Sequence, residues 1–199
     1  NWPDPATRDV PPLKPPSEMP KRGLGSLAGR QALLHAVAHI ELNAIDLAAD
    51  MAGRFGHELA GPDQERFLQD WLVVMDDEAR HFLMVADRLT EMGSGYGCLP
   101  AHDGLFEAAR KTSHDILARL AIAPMVLEAR GLDVTPGMIE KFRRQEDHAS
   151  ADVLEVIYRD EIGHVATGIK WFRYICTRQE LDTRSHFQAL VTRYFPGGL

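Results

Sequence analysis

The chain is short of cysteine, of long apolar runs and of alternating patterns, and each shortage closes off a class of protein. Only Cys98 and Cys176 occur in 199 residues, and they form no Cys-x-x-Cys pair. That excludes a zinc ribbon, a rubredoxin-like iron centre and a thioredoxin motif, and it makes a reducing, cytoplasmic compartment the expected one. No run of 18 apolar residues exists, and prolines and charges stand where a signal peptide would carry a basic end and an apolar stretch, so a soluble, unexported protein is expected. The first residue is Asn1 rather than Met, which leaves the native start open. Excess positive charge is also missing: the net charge is -7. Bulk charge thus gives no general reason to bind nucleic acid or an anionic membrane, although Lys141, Arg143 and Arg144 form a local basic group. No flavin, nicotinamide or iron–sulfur motif is present, and period-two alternation never lasts long enough for a strand.

What is present is helical. A hydrophobic content of 45% is enough for a core, and the length suits one domain with an arm. Residues 1–25 hold seven of the twelve prolines, which fix extended backbone and remove amide donors. They predict an arm lying along the domain or a partner subunit, with Trp2 as a candidate anchor, and residues 26–199 form the domain. Apolar residues recur at three- and four-residue spacing over 26–55, where Glu41 interrupts the stripe, and over 62–92, where Glu78 and His81 share the apolar face. The Gly-rich stretch 93–104 reads as a long connection, with Asp103 as a cap for a third helix over 104–131. Pro124 should kink that helix one turn before Glu128, and Gly131 should stop it. Thr135 as cap and Pro136 at a first position predict an extra short helix. A fourth long helix over 148–177 presents Ile157, Tyr158, Glu161, His164 and Gly168 on its buried face, and an amphipathic helix over 179–194 closes the chain. The expected fold class is all-α.

Chemistry enters with a repetition. "DDEARHF" begins at Asp76 and "RDEIGHV" at Arg159, and both contain Asp-Glu-x-x-His. Glu and His three residues apart stand on neighbouring turns of one helix face, about 5–6 Å between Cβ atoms, and can hold one metal ion together. With 13 Glu and 9 His, chance yields about 0.6 Glu-x-x-His pairs, but only about 0.05 once Asp must precede Glu. Two are present. The order is Glu41, Glu78/His81, Glu128, Glu161/His164, so each half supplies a Glu helix followed by a Glu-x-x-His helix. The gaps are similar: 37 residues from Glu41 to Glu78 and 33 from Glu128 to Glu161. Two hairpins about a pseudo-two-fold axis would bring four carboxylates and two imidazoles together, as in a carboxylate-bridged di-iron or di-manganese site. Two divalent ions would cancel about four negative charges that an apolar interior otherwise tolerates badly.

Asp77 and Asp160 neighbour the Glu positions and are candidates to accept the outward ring N–H of a metal-bound histidine; surface charge is the plain alternative. Arg80 either ties into them or pairs with Asp76. Tyr158, one turn before Glu161, is a candidate for a hydrogen bond or an electron near the metals, with core packing as the more ordinary reading. His114 reads as a polar core or mouth residue, His35 and His39 fall on another face, and Trp71 and Trp171 read as core aromatics.

These residues resemble the ferritin-like superfamily of di-metal carboxylate proteins, particularly its oxygen-activating branch. "AHIELNAIDLA", "DEARHF", "AHDGL", "VLEARGLDVTPGMIE" and "RDEIGHVA" look most like a bacterial ferritin-like family, domain-of-unknown-function family 455, and span most of residues 20–175. More distantly the chain is similar to di-iron hydroxylases of modified tRNA. The resemblance implies a ferritin-like four-helix bundle with the extra short helix, the C-terminal helix and the proline-rich arm. Its metal positions fall on Glu41, Glu78, His81, Glu128, Glu161 and His164, holding two iron ions or manganese. It implies no reaction. An O2-activating oxidoreductase with a small-molecule or modified-nucleoside substrate and an external electron donor is the leading expectation; a ferroxidase or iron-handling protein is the alternative. A monomer or homodimer would suit the enzyme, a hollow shell the store.

Overall fold

A computed structural model describes residues 8–20 and 23–196; Trp2 lies outside them. The molecule is all-helical, and among the described residues the only strand-like pairing is a single parallel bridge from Leu13 to Ala101. Helix α1 spans Leu27–Phe55 and starts at Ser26, whose side chain accepts a hydrogen bond from the Gly29 amide at 3.1 Å. Helix α2, Pro62–Glu91, opens on a proline and has Asp63 and Glu65 in its first turn, where a fixed φ and negative charge suit a helix N-terminus. Helix α6, His148–Arg178, is capped by Asp147, and α7, Thr183–Tyr194, by Asp182.

The middle of the chain departs from the expected single helix over 104–131. Helix α3, Gly104–Lys111, ends in a turn that holds His114, and Asp115 then caps α4, Ile116–Ile122, by accepting from the Leu117 and Ala118 amides. Asp103 stands at the N-cap of α3 without a side-chain capping bond. Pro124 does not simply kink the helix: Ala123–Glu128 widens into a π-helical turn and leads directly into α5, Ala129–Arg144. Gly131 therefore stops nothing, and Thr135 and Pro136 lie inside α5 rather than starting a short helix. The helix persists through Pro136 because Ile139 and Phe142 behind it are buried against residues of α1, α2 and α6. Two such side chains stabilise by about 1.5–3 kcal/mol each, which outweighs the roughly 3 kcal/mol cost of an interior proline.

Two apolar clusters fix the directions of the long segments. One gathers Met51 of α1, Trp71 of α2, Leu120 of α4 and Phe172 of α6; the other gathers Leu34, Leu89, Phe142 and Leu154. Along α1 and α6 the chain runs from the second cluster to the first, and along α2 and the α4–α5 segment from the first to the second. Hence α2 and α4 are joined not by a tight hairpin but by residues 92–115, which traverse the length of the molecule. Glu41, Glu78, Glu128 and Glu161 each fall between the two clusters on their own segment, at mid-height. The most apolar window of α1 has a mean hydropathy of 1.2, and 56% of it is buried; its interior face carries His35, Glu41, Asn43 and Asp50, as a core helix with polar work to do.

The described part of the arm lies against the connection. The Lys14 amide donates to the Ala101 carbonyl at 2.8 Å, the Ala101 amide to Pro12 at 3.1 Å, and Arg8 pairs with Asp46 of α1 at 2.5 Å. Gly97 has φ +93°, and a Cβ there would sit 2.6 Å from Val10 Cγ1, so both backbone conformation and the close approach of the arm require glycine.

Candidate metal centre

The periodicity that put Glu and His on one helix face puts them, in three dimensions, between four helical segments. Glu41, Glu78, His81 and Glu161 each offer a ligating atom within 4.8 Å of the others, a grouping that can hold a metal ion. Glu78 and His81 are wholly buried, and Glu41 and His164 nearly so. His81 Nδ1 lies 3.3 Å from both Glu41 Oε2 and Glu78 Oε2. His164 Nδ1 lies 3.1 Å from Glu78 Oε1 and 3.6 Å from Glu161 Oε2, so Glu78 stands between the two imidazoles. Glu128, at the end of the π turn, feels the charges of Glu161, Glu78 and Glu41 and keeps Oε2 buried although the residue as a whole is only partly so.

Several of these contacts are at ion-pair distance yet out of line for hydrogen bonds. Glu41 Oε2, Glu78 Oε1, Glu128 Oε2, Glu161 Oε2 and His164 Nδ1 are all buried without a hydrogen-bond partner. An orphaned buried polar atom costs about 1–3 kcal/mol, more if charged. Five such atoms gather in this region, all oxygen or imidazole nitrogen, the donor types that fit a hard or borderline cation; Glu41, Glu78 and Glu161 join His81 in the grouping within reach of one ion, whereas Glu128 and His164 fall outside it.

The outward ring nitrogens cross over. His81 Nε2 meets Asp160 Oδ2 at 3.0 Å, and His164 Nε2 meets Asp77 Oδ2 at 3.2 Å, each histidine reaching the aspartate of the other Asp-Glu-x-x-His segment. Arg80 Nη2 bridges the two aspartates, 2.6 Å from Asp77 and 2.8 Å from Asp160. With Nε2 engaged outwards, Nδ1 of each ring is presented to the carboxylates.

Electrostatics follow from this packing in the metal-free chain. Burial drives the Glu41 carboxyl well above its usual range, His81 pulls it back, and Glu78 and Glu161 push it further up. Glu128 is raised well above its usual range by burial and by Glu161 and Glu78, and Glu161 is raised by burial against the pull of His164. Glu78, buried but flanked by both imidazoles, is instead held down at about 2. Burial pushes the imidazoles down, but Glu41, Glu78 and Asp160 lift His81 to about 10, and Glu161 and Glu78 lift His164 to about 11. Two imidazolium ions thus supply part of the positive charge the carboxylates need.

A cavity of about 570 Å³ opens directly on Glu41, Glu128 and Glu161. Its walls come from α1, the π turn, α5, α6 and the connection after Leu99, and they are mostly aliphatic. Of the Gly-rich stretch 93–99, only Leu99 lines it; Pro100 to His102 form more of that wall. Tyr158 packs against the apolar cluster and also lines the cavity, and among the described residues no hydrogen bond joins its hydroxyl to the carboxylates. His114 is remote in role: its Nε2 pairs with Tyr194 of α7 at 2.9 Å. Trp71 and Trp171 are core aromatics against Phe67.

Sequence reasoning passed over three features. His39, set aside as facing elsewhere, lines the cavity and is fixed by Tyr96 at 2.8 Å and Asn43 at 3.1 Å; its i, i+4 relation to Asn43 was the available signal. His35 is buried and accepts from the Gly97 amide at 2.9 Å, pinning the connection. Arg130, two residues after Glu128, is exposed and lines the cavity.

Fold and site define an all-helical protein with a buried carboxylate–imidazole cluster able to hold a metal ion. The chain belongs to the family described as "Protein of unknown function (DUF455)", whose model matches residues 1–199. It is 44% identical over 188 residues to a protein of Haemophilus influenzae described as "Uncharacterized protein". The match covers 94% of this chain, which spans 65% of that relative's length. No solved structure matches the chain.

Proposed function

We propose that the chain is a ferritin-like di-metal carboxylate protein and acts as an O2-activating oxidoreductase. The segment directions, with two antiparallel hairpins and one long crossover, and the supply of one Glu and one Glu-x-x-His from each hairpin support the ferritin-like reading. Glu41, Glu78, His81, Glu128, Glu161 and His164 would hold the two ions, and the five orphaned donor atoms are what makes them fit. Four carboxylates match the charge of two divalent ions. Oxygen and imidazole donors suit iron or manganese, whereas a structural zinc site is normally a single closed tetrahedron.

Bound ferrous ions would supply electrons to O2 for oxidation of a substrate. The residues of the chain do the rest. Asp77 and Asp160 fix the ring orientation of His164 and His81, and Arg80 fixes the aspartates. Aliphatic cavity walls flank the carboxylates on one side. The single observation that favours an enzyme over an iron store is that cavity: about 570 Å³ lies in the size range of pockets that bury small organic molecules, and it touches three of the four carboxylates. An external donor would return the electrons, and O2 and a small molecule or modified nucleoside would be the reactants.

The test is anaerobic Fe(II) loading followed by O2, watched by absorption and Mössbauer spectroscopy, with metal content measured on the same sample. About two irons per chain, converted to a coupled diferric product, is the expected result. Well under one metal per chain, unchanged in Glu41→Ala and His164→Ala, would overturn the metal centre. Light scattering separates the enzyme, as a monomer or dimer, from a shell-forming store.

A further inference from the structure

We propose that the cavity beside the carboxylates takes a small amphiphile with an apolar body and one anionic head, a carboxylate or a phosphate, held at the rim by Arg130. This rests on the metal-centre reading, because the charge argument begins there. Four carboxylates and two divalent ions cancel, so the floor formed by Glu41, Glu128 and Glu161 presents no net charge to an occupant. Of the other described residues lining the cavity, Arg130 alone carries a fixed charge. It is exposed, so it stands at the solvent side, whereas Glu41 is buried at the floor.

Arg130 is also uncommitted. Arg54, Arg88, Arg110 and Arg119 are each neutralised by a carboxylate, but no carboxylate pairs with Arg130 among the described residues. A guanidinium is a fork of donors matched to carboxylate and phosphate oxygens. Ile40 and Val134 line the same cavity and are 48% and 49% exposed. Large aliphatic side chains left in water at a pocket rim mark contact with an apolar ligand. Below them the walls continue aliphatic through Val37, Leu47 and Leu154 to the floor. A charged rim, an apolar shaft and a reactive floor orient such a molecule in one direction, with its apolar end against the metals and its head outside.

The experiment uses the full chain loaded with Fe(II) under anaerobic conditions and titrates it calorimetrically with decanoate, decyl phosphate, decanol and decyltrimethylammonium, each below its micelle concentration. Decanoate or decyl phosphate should bind at least about tenfold more tightly than decanol, the difference one charge-assisted contact at a wet rim supports; comparing the two anions identifies the head. Decyltrimethylammonium should bind more weakly than decanol. Arg130→Gln should remove the anion preference and leave decanol binding unchanged. Ala44→Phe, which fills the shaft, should abolish binding of all four, with circular dichroism reporting that it is folded. Equal binding of anion, alcohol and cation, no effect of Arg130→Gln, or no binding of any amphiphile overturns the proposal. Metal analysis of the same samples separates the two readings: two metals per chain without anion preference defeats only the ligand class, whereas no metal defeats the centre itself and with it the charge argument.

Discussion

At the scale of single residues, burial decides which charges matter. Arg119 and Asp50 are both almost fully buried and ion-paired, with Arg54 adding a second contact to Asp50 at 2.8 Å. Arg119 also donates to Thr112 Oγ1 at 2.9 Å and to the Ala109 carbonyl at 2.7 Å, so one guanidinium ties the turn between α3 and α4 to α1. Asp50→Ala would leave that cation inside without its main counter-charge, and removal of one partner of a buried pair costs about 3–5 kcal/mol. Urea denaturation should show a loss of that size; an unmoved midpoint would mean that Arg119 finds compensation elsewhere. Arg80 makes the opposite case. Its side chain is 45% exposed, and exposed pairs contribute about 0–1 kcal/mol. Arg80→Ala should therefore barely change unfolding in metal-free protein. If the proposed metal centre is correct, its effect should appear instead as weaker metal binding, measured by titration, through Asp77 and Asp160.

At the scale of elements, the contrast between α6 and the α4–α5 segment explains what could be read from the chain. The reading 148–177 and the observed His148–Arg178 agree because one apolar period runs without a break along the whole span. Glu-x-x-His is legible for the same reason: both members lie on one helix, and their relation is local. Over 104–144 the local signals of Pro124, Gly131 and Pro136 point to breaks, while burial of Ile139 and Phe142 holds the helix together; tertiary packing wins. The cavity was illegible because its walls come from segments far apart in the chain. The π turn has a structural partner: a Cβ on Gly168 of α6 would lie 2.6 Å from Pro124 Cβ and 2.7 Å from its Cγ. Real contacts do not approach so closely, and a proline ring does not swing away. Gly168→Ala gains about 1 kcal/mol of helix propensity against about 1–3 kcal/mol of overpacking. A net loss of stability is expected, together with a drop in bound metal, because α6 and the π turn must separate and they carry Glu161, His164 and Glu128. Unchanged thermal stability and metal content would show that the two helices part freely.

At the scale of the whole molecule, two apolar clusters stabilise the fold at either end, and the buried carboxylates between them oppose it, with the two imidazoles offsetting part of that cost. Metal-free protein holds four carboxylates at mid-height, and five buried donor atoms of the cluster lack a hydrogen bond among the described residues, an arrangement that folding alone does not favour. Glu128→Gln keeps the shape, removes a carboxyl whose ionisation is opposed by burial and by Glu161 and Glu78, and leaves both apolar clusters untouched. Without metal the variant should be more stable than the wild type, by on the order of 1 kcal/mol, or about 2–4 °C in Tm for a chain of this size. With metal the order should reverse, because a ligand at a thousand times its Kd adds about 4 kcal/mol to the form that binds it, and the amide binds a cation less well than the carboxylate. Thermal melts of both proteins, with chelator and with Mn(II) or anaerobic Fe(II), measure the crossing. A variant less stable than wild type under both conditions would mean that Glu128 serves the fold, and that the mid-height layer is a structural network and not a site held in readiness for metal.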